Sequence, residues 1–133
     1  MISIIDATVG ELKKLSAIRA GVLAGRALRN SGVYERAISF AGIDTLDLED
    51  DEVSTIQNAI LCVKTHGEIA DTILEKIEQI FKRLKSNNTD CLVLGCTELT
   101  PLMPIASRYF SSVVDSNLSL AQAAMSASKN FRR

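Results

Sequence analysis

The stretch Cys91-Leu92-Val93-Leu94-Gly95-Cys96-Thr97-Glu98-Leu99 sets a thiol, a hydroxyl and a carboxylate in consecutive positions directly after an apolar run and a glycine. Gly95 lets the chain turn sharply off a strand, and the three polar residues then stand at the strand's carboxyl end. Ligands bind outside that end in open α/β sheets. The reactive form of cysteine is the thiolate, so exposed backbone N–H groups and a nearby helix start are expected to lower the pKa of Cys96. The alternative is a free cysteine buried as a small apolar residue. Cys91 lies five residues earlier along an extended strand, about 16 Å away at roughly 3.3 Å per residue, and so cannot face Cys96 across a substrate.

The elements that must position this loop follow from the spacing of apolar residues. Short apolar runs alternate with segments of helical period, which predicts βα units and a mostly parallel sheet of about four strands between helical layers, a three-layer α/β sandwich. Ile2 to Ile5 reads as a first strand, followed by a short helix from Thr8 to about Ser16 capped by Asp6 or Thr8. Gly21 to Ala24 reads as a buried strand, GRALRNSGVY as a loop, and Tyr34 to Ala41 as a helix. Thr45 to Leu48 is a further strand. The acidic cluster Asp47, Glu49, Asp50, Asp51 and Glu52 after it suits the positive end of a helix. That helix buries Val53, Ile56, Ile60 and Val63, sets Cys62 beside Ile60 and Val63 as a core residue, and ends at Thr65-His66-Gly67.

A longer helix from about Glu68 to Lys85 carries Ile69, Ile73, Ile77, Ile80 and Leu84 on one stripe and charges on the rest. After the SNNTD turn, Cys91 to Leu94 has the unbroken hydrophobicity of an interior strand. Ser112 to Asp115 is the last strand, and Leu118 to Ser128 the last helix.

Composition narrows the function classes. With 133 residues the chain has the length of one domain, residues 1–133. A net charge of -1 gives no basic surface for nucleic acid, and no apolar run reaches the roughly 18 residues needed to span a membrane. The N-terminal residues lack the pattern of a signal peptide, so a cytoplasmic location is expected. Three cysteines in no metal-ligand spacing and a single histidine, His66, disfavour both disulfides and a metal site.

Gly95-Cys96-Thr97-Glu98-Leu99-Thr100-Pro101-Leu102 resembles the second cysteine motif of the aspartate/glutamate racemase family. Ile2 to Thr8, Ala20 to Tyr34, Gly42 to Asp44 and Val113 to Ala121 resemble further segments of that family in the same order. The match covers essentially this whole chain and about half of the family's. It implies one lobe of a two-lobed α/β fold and a cofactor-independent reaction on a small acidic amino acid. In that reaction two cysteines on opposite faces of Cα remove and return a proton, because a single base returns the proton to the face it left.

Carried over residue by residue, the resemblance makes Cys96 the base of the second lobe, Thr97 a substrate contact and Glu98 the acid that assists proton transfer. Arg26 matches an arginine of the first loop that faces a substrate carboxylate, whereas Gly25 and Leu28 stand where the family usually has threonines. The family's first-lobe cysteine motif has no counterpart in these residues. A homodimer or a separate first-lobe polypeptide would then supply the opposing base. The alternatives are a catalytically inactive truncated remnant and a module that binds a small carboxylate. The resemblance also places residues 1–16 and 117–133 against the family's first lobe, so their apolar residues are expected to pack together or to form a subunit interface.

Overall fold

A computed structural model of the chain describes the backbone of residues 3–131 and the side chains of residues 3–125. Its first element is a helix, α1 (Ile4–Lys14). The strand expected at Ile2 to Ile5 is therefore replaced by helix from Ile4 onward, while Ile2 lies outside the described residues. Three isoleucines within four residues fit a buried strand or a buried helix turn equally well. What decides is the longer spacing, since Ile5, Thr8, Val9 and Leu12 recur on one helical face that is turned into the protein. The cap also differs from expectation: Ser3 Oγ accepts the Asp6 N–H at 3.0 Å, whereas Thr8 is buried and donates to the Ile4 carbonyl.

The sheet has four parallel strands in the order β2-β1-β3-β4: β1 (Arg19–Leu23), β2 (Asp44–Thr45), β3 (Cys91–Leu94) and β4 (Ser112–Asp115). β2 is shorter than expected. After Thr45 the chain makes one more ladder bond, from Leu46 N–H to the Ala20 carbonyl, and Leu48 drops into the core as the next helix approaches. The segment read as a loop after β1 contains a one-and-a-half-turn helix, α2 (Arg26–Ser31), closed by Gly32 at φ 67°, a left-handed conformation that glycine adopts without a Cβ clash. Six residues are too few for apolar periodicity to register.

Helices cover both faces. α4 (Asp50–His66), α5 (Asp71–Ser86), a 3-10 segment (Thr97–Leu102) and α6 (Met103–Tyr109) pack over Leu23, Leu92 and Leu94. α1 and α3 (Val33–Phe40) pack over Ala20, Cys91, Val93 and Val114. The last helix, α7 (Ser116–Phe131), lies along α1. All four β3 side chains are wholly buried, alternately in the two layers. Full burial of each such aliphatic residue stabilises by about 1.5–3 kcal/mol.

The acidic cluster forms the head of α4. Glu52 Oε1 accepts the Glu49 N–H at 2.8 Å in a capping box, and Arg83 of α5 grips the same carboxylate through Nε at 2.7 Å and through Nη2. Cys62 is half-buried on α4 and stands outside both core clusters, a correction to its expected core position. Among the described residues, no helix is long and apolar enough to cross a membrane.

Candidate functional site

The order β2-β1-β3-β4 means that the chain leaves β1 in one direction to build β2 and returns on the other side to build β3 and β4. The crevice opened by this reversal lies at the carboxyl ends of β1 and β3, where ligands gather in open α/β folds. β1 and β3 are adjacent in register, Leu23 opposite Leu94, and Gly95 N–H donates to the Leu23 carbonyl at 2.8 Å. The loop bearing Cys96 and the loop bearing Gly25 and Arg26 therefore leave the sheet side by side.

Gly95 is needed here for its lack of a side chain. A Cβ at this position would stand 3.1 Å from the Leu23 carbonyl oxygen, 3.4 Å from the Ala24 Cβ and 3.5 Å from the Tyr34 ring. The nearest atom is backbone of a buried strand and has little room to retreat. Gly95→Ala is expected to destabilise the fold by about 1–2 kcal/mol through overpacking, read as a lower urea midpoint at unchanged slope.

Cys96 is half-buried, and its Sγ donates to Glu98 Oε2 at 2.9 Å. The other oxygen of Glu98 pairs with Lys64 Nζ of α4 at 3.7 Å. This lysine was not among the residues singled out in the sequence. Its position near the C-terminus of a helix reads as a favourable end charge, and only the packing of α4 beside the 3-10 segment brings it to Glu98.

The thiol differs electrostatically from expectation. Burial first, then the hydrogen bond to Glu98, push the Cys96 pKa above its ordinary value; the Glu98 N–H and Lys64 act in the opposite direction without overcoming them. The same hydrogen bond, with the Glu98 backbone and Lys64, holds the Glu98 pKa below the ordinary carboxylate value. The resting pair is thus a neutral thiol donating to a carboxylate. A raised thiol pKa stabilises the fold below the unfolded thiol value and a lowered carboxylate pKa stabilises it above the unfolded carboxylate value. The contact contributes most between those limits and is lost as pH falls through the Glu98 value or rises through the Cys96 value.

Glu98→Gln removes both the negative charge and the carboxylate acceptor, so the pH midpoint for alkylation of Cys96 by iodoacetamide is expected to fall toward that of an ordinary thiol. Lys64→Ala is expected to raise it. Mass spectrometry of the Cys96 peptide across a pH series checks both directions, and no movement in either variant contradicts the arrangement.

Thr97 is exposed, and its Oγ1 accepts a hydrogen bond from Asn117 Nδ2 at 3.1 Å. Arg26 is not drawn to the thiol. Its guanidinium Nη2 donates to Ser54 Oγ at 3.0 Å, and its backbone N–H donates to Gln57 Oε1 at 2.9 Å, both on α4. Cys91 is wholly buried on the other side of the sheet, where burial and then the charges of Asp90 and Glu11 push its thiol up to about 12. It is inert at neutral pH. The grooves between α1 and α7 and between α4 and α5 are lined by residues other than Cys96. No group of three or more His, Cys, Asp or Glu side chains that could hold a metal ion occurs among the described residues.

Comparison with known proteins bears on this geometry. The family model described as Asp/Glu/Hydantoin racemase matches residues 1–124. An uncharacterised protein in the pnlA 3' region of Pectobacterium carotovorum subsp. carotovorum is 30% identical over 99 residues, covering 74% of this chain and 65% of that one. Among solved structures, an Asp/Glu racemase candidate from Yersinia pestis superimposes with a TM-score of 0.79 at 26% identity, over 91% of this chain and 53% of its own. The Picrophilus torridus aspartate racemase does so with a TM-score of 0.74 at 26% identity, over 95% and 52%.

An aspartate racemase homologue from Pyrococcus horikoshii OT3, at 23% identity and a TM-score of 0.72, shares the fold. The chain spans about half the length of these solved structures. A parallel four-stranded α/β unit of this topology, matched by the family model over nearly its whole length, belongs to the Asp/Glu/hydantoin racemase family.

Proposed function

We propose that this chain carries one side of a cofactor-independent racemase site for a small acidic amino acid such as aspartate. The observation that carries the reading is the Cys96 Sγ–Glu98 Oε2 hydrogen bond at the carboxyl end of β3, where the connections from β1 and β3 run to opposite sides of the sheet. In the proposed reaction Glu98 takes the thiol proton, and the thiolate then removes the α-proton. The Cα–H bond breaks, an S–H bond forms, and the electron pair spreads into the substrate carboxylate. An opposing thiol delivers a proton to the other face.

Thr97 contacts the substrate carboxylate, and Lys64 supplies positive charge close by. Arg26 is assigned to the second carboxylate, for which its guanidinium leaves Ser54. Neither Cys91, wholly buried, nor Cys62, on α4, suits the opposing role. A second copy of Cys96 across a twofold axis, or a separate polypeptide, would fill it.

The test is incubation with L- and D-aspartate in deuterated water, following the Cα hydrogen by NMR and the opposite enantiomer by chiral chromatography. Specific activity is expected to rise with protein concentration if a second copy completes the site. The absence of exchange at every concentration, including those at which the protein self-associates, would sink the reading for this chain by itself. The raised pKa of Cys96 favours a second reading, a carboxylate-binding site without turnover. In that case aspartate raises the melting temperature and the Cα hydrogen stays in place.

A further inference from the structure

Asn117 stands at the head of α7, and its side-chain amide reaches across to the loop after β3, where Nδ2 donates to Thr97 Oγ1. A threonine hydroxyl has one proton and two lone pairs, whereas an amide N–H can only donate. The Thr97 oxygen is therefore the acceptor in this contact, and its own proton is directed away from Asn117. Both partners are anchored by one buried carboxylate. Asp115 Oδ2 accepts the Thr100 hydroxyl at 2.8 Å, and Oδ1 accepts the backbone N–H groups of Asn117 and Leu118 at 3.0 and 3.2 Å. The segment carrying Thr97 and the helix carrying Asn117 are thereby clamped together. Ser116, also buried, donates its hydroxyl to Thr8 Oγ1 of α1 at 3.0 Å, since the Thr8 proton is given to the Ile4 carbonyl, and this ties the clamp to the opposite layer.

We infer that Asn117 is a positioning residue, orienting the Thr97 hydroxyl so that its proton is offered to a carboxylate held beside Cys96. The inference rests on the reading of Cys96 and Thr97 as the substrate contact, and it explains why the end of the chain reaches the site. The substitution Asn117→Asp reverses the device. The new side chain is close to asparagine in shape and carries a charge favourable at a helix N-terminus. Its carboxylate, however, only accepts, so Thr97 would donate to it and withdraw its proton from a ligand.

The experiment compares alkylation of Cys96 by iodoacetate and by iodoacetamide, which share a leaving group and differ in carrying a carboxylate. In each case the thiolate sulfur bonds to the CH2 carbon as iodide leaves. The ratio of the two rate constants, measured on the Cys96 peptide, cancels thiolate fraction and access and reports carboxylate capture. Asn117→Ala is expected to lower the ratio by roughly two- to tenfold, the equivalent of one hydrogen bond, and Asn117→Asp to lower it further. With Thr97→Val already in place, Asn117→Ala should have little effect.

The added negative charge of Asn117→Asp repels iodoacetate in either background. The part of its effect that survives Thr97→Val is charge, and the part that vanishes is the reversed hydroxyl. A ratio unchanged in both Asn117 variants, or an Asn117→Ala effect of equal size with and without the Thr97 hydroxyl, overturns the inference. Aspartate is a separate arm. If it neither slows alkylation nor exchanges its Cα hydrogen, the racemase reading fails, while the iodoacetate ratio still decides the role of Asn117.

Discussion

Under the proposed racemase reading, Cys96→Ser is expected to lower Cα exchange on aspartate by at least about a hundredfold, the lower end of what a positioned general base contributes. The substitution keeps the side chain's shape and a donor for Glu98, so the loop is expected to hold its fold. What changes is the basicity available. A serine hydroxyl is far harder to ionise than a thiol, and Glu98, held charged by its neighbours, is too weak a base to drive that ionisation. Exchange measured alongside a urea melt separates the two explanations: an unchanged melt with lost exchange supports Cys96 as the base, and full exchange in Cys96→Ser removes it from the mechanism. Because burial raises the thiol pKa, exchange in the wild type is also expected to climb with pH above neutrality. A profile that falls there contradicts a thiolate mechanism.

Phe81→Ala is expected to destabilise the fold by about 3–5 kcal/mol, as deletion of a wholly buried aromatic ring does. Phe81 lies on α5 with no exposed surface, and its ring meets Phe110 edge-on at 5.4 Å and Tyr109 at 5.8 Å. Tyr109 and Phe110 sit at the junction of α6 and β4, so the cluster fastens α5 to an element pair later in the chain, beyond β3. Tyr109 cannot easily follow the lost ring, because its hydroxyl donates to Glu78 Oε1 at 2.7 Å on the same helix as Phe81. A cavity therefore remains, and its cost adds to the lost burial. Single domains are stable by only about 5–15 kcal/mol, so the urea midpoint should fall steeply at unchanged slope. Phe81→Leu keeps most of the volume and is expected to cost well under half as much. Equal losses in the two variants would show that the cavity is not the cause.

The family assignment and the half-length match give these predictions their setting. The matched structures are about twice as long as this chain, while the unit seen here has a core on each side of its sheet. Not every apolar side chain is covered. Leu118 and Met125, expected to be buried against other residues of the chain's ends or a partner, are 53% and 61% exposed on α7, although α7 itself packs along α1.

Several features were legible in the residues alone because each is decided locally. The unbroken run Cys91 to Leu94 announces a strand covered on both faces, and all four side chains are buried. The stripe through Ile77, Ile80 and Leu84 marks the inner face of α5, and the acidic residues around Asp50 mark the head of α4. The glycine after the strand locates the Cys96 loop before any coordinate is known. Other features were decided only by tertiary structure, because they depend on partners distant in sequence. Ile4 and Ile5 are helical where a strand was expected, in a helix whose buried Thr8 hydroxyl reaches Ser116 at the far end of the chain. Lys64 meets Glu98, and Arg26 turns to Ser54, through the placement of α4. The pKa of Cys96 moves up instead of down because desolvation depends on what packs around a group, and that is set by the assembled layers, not by the neighbours in the sequence.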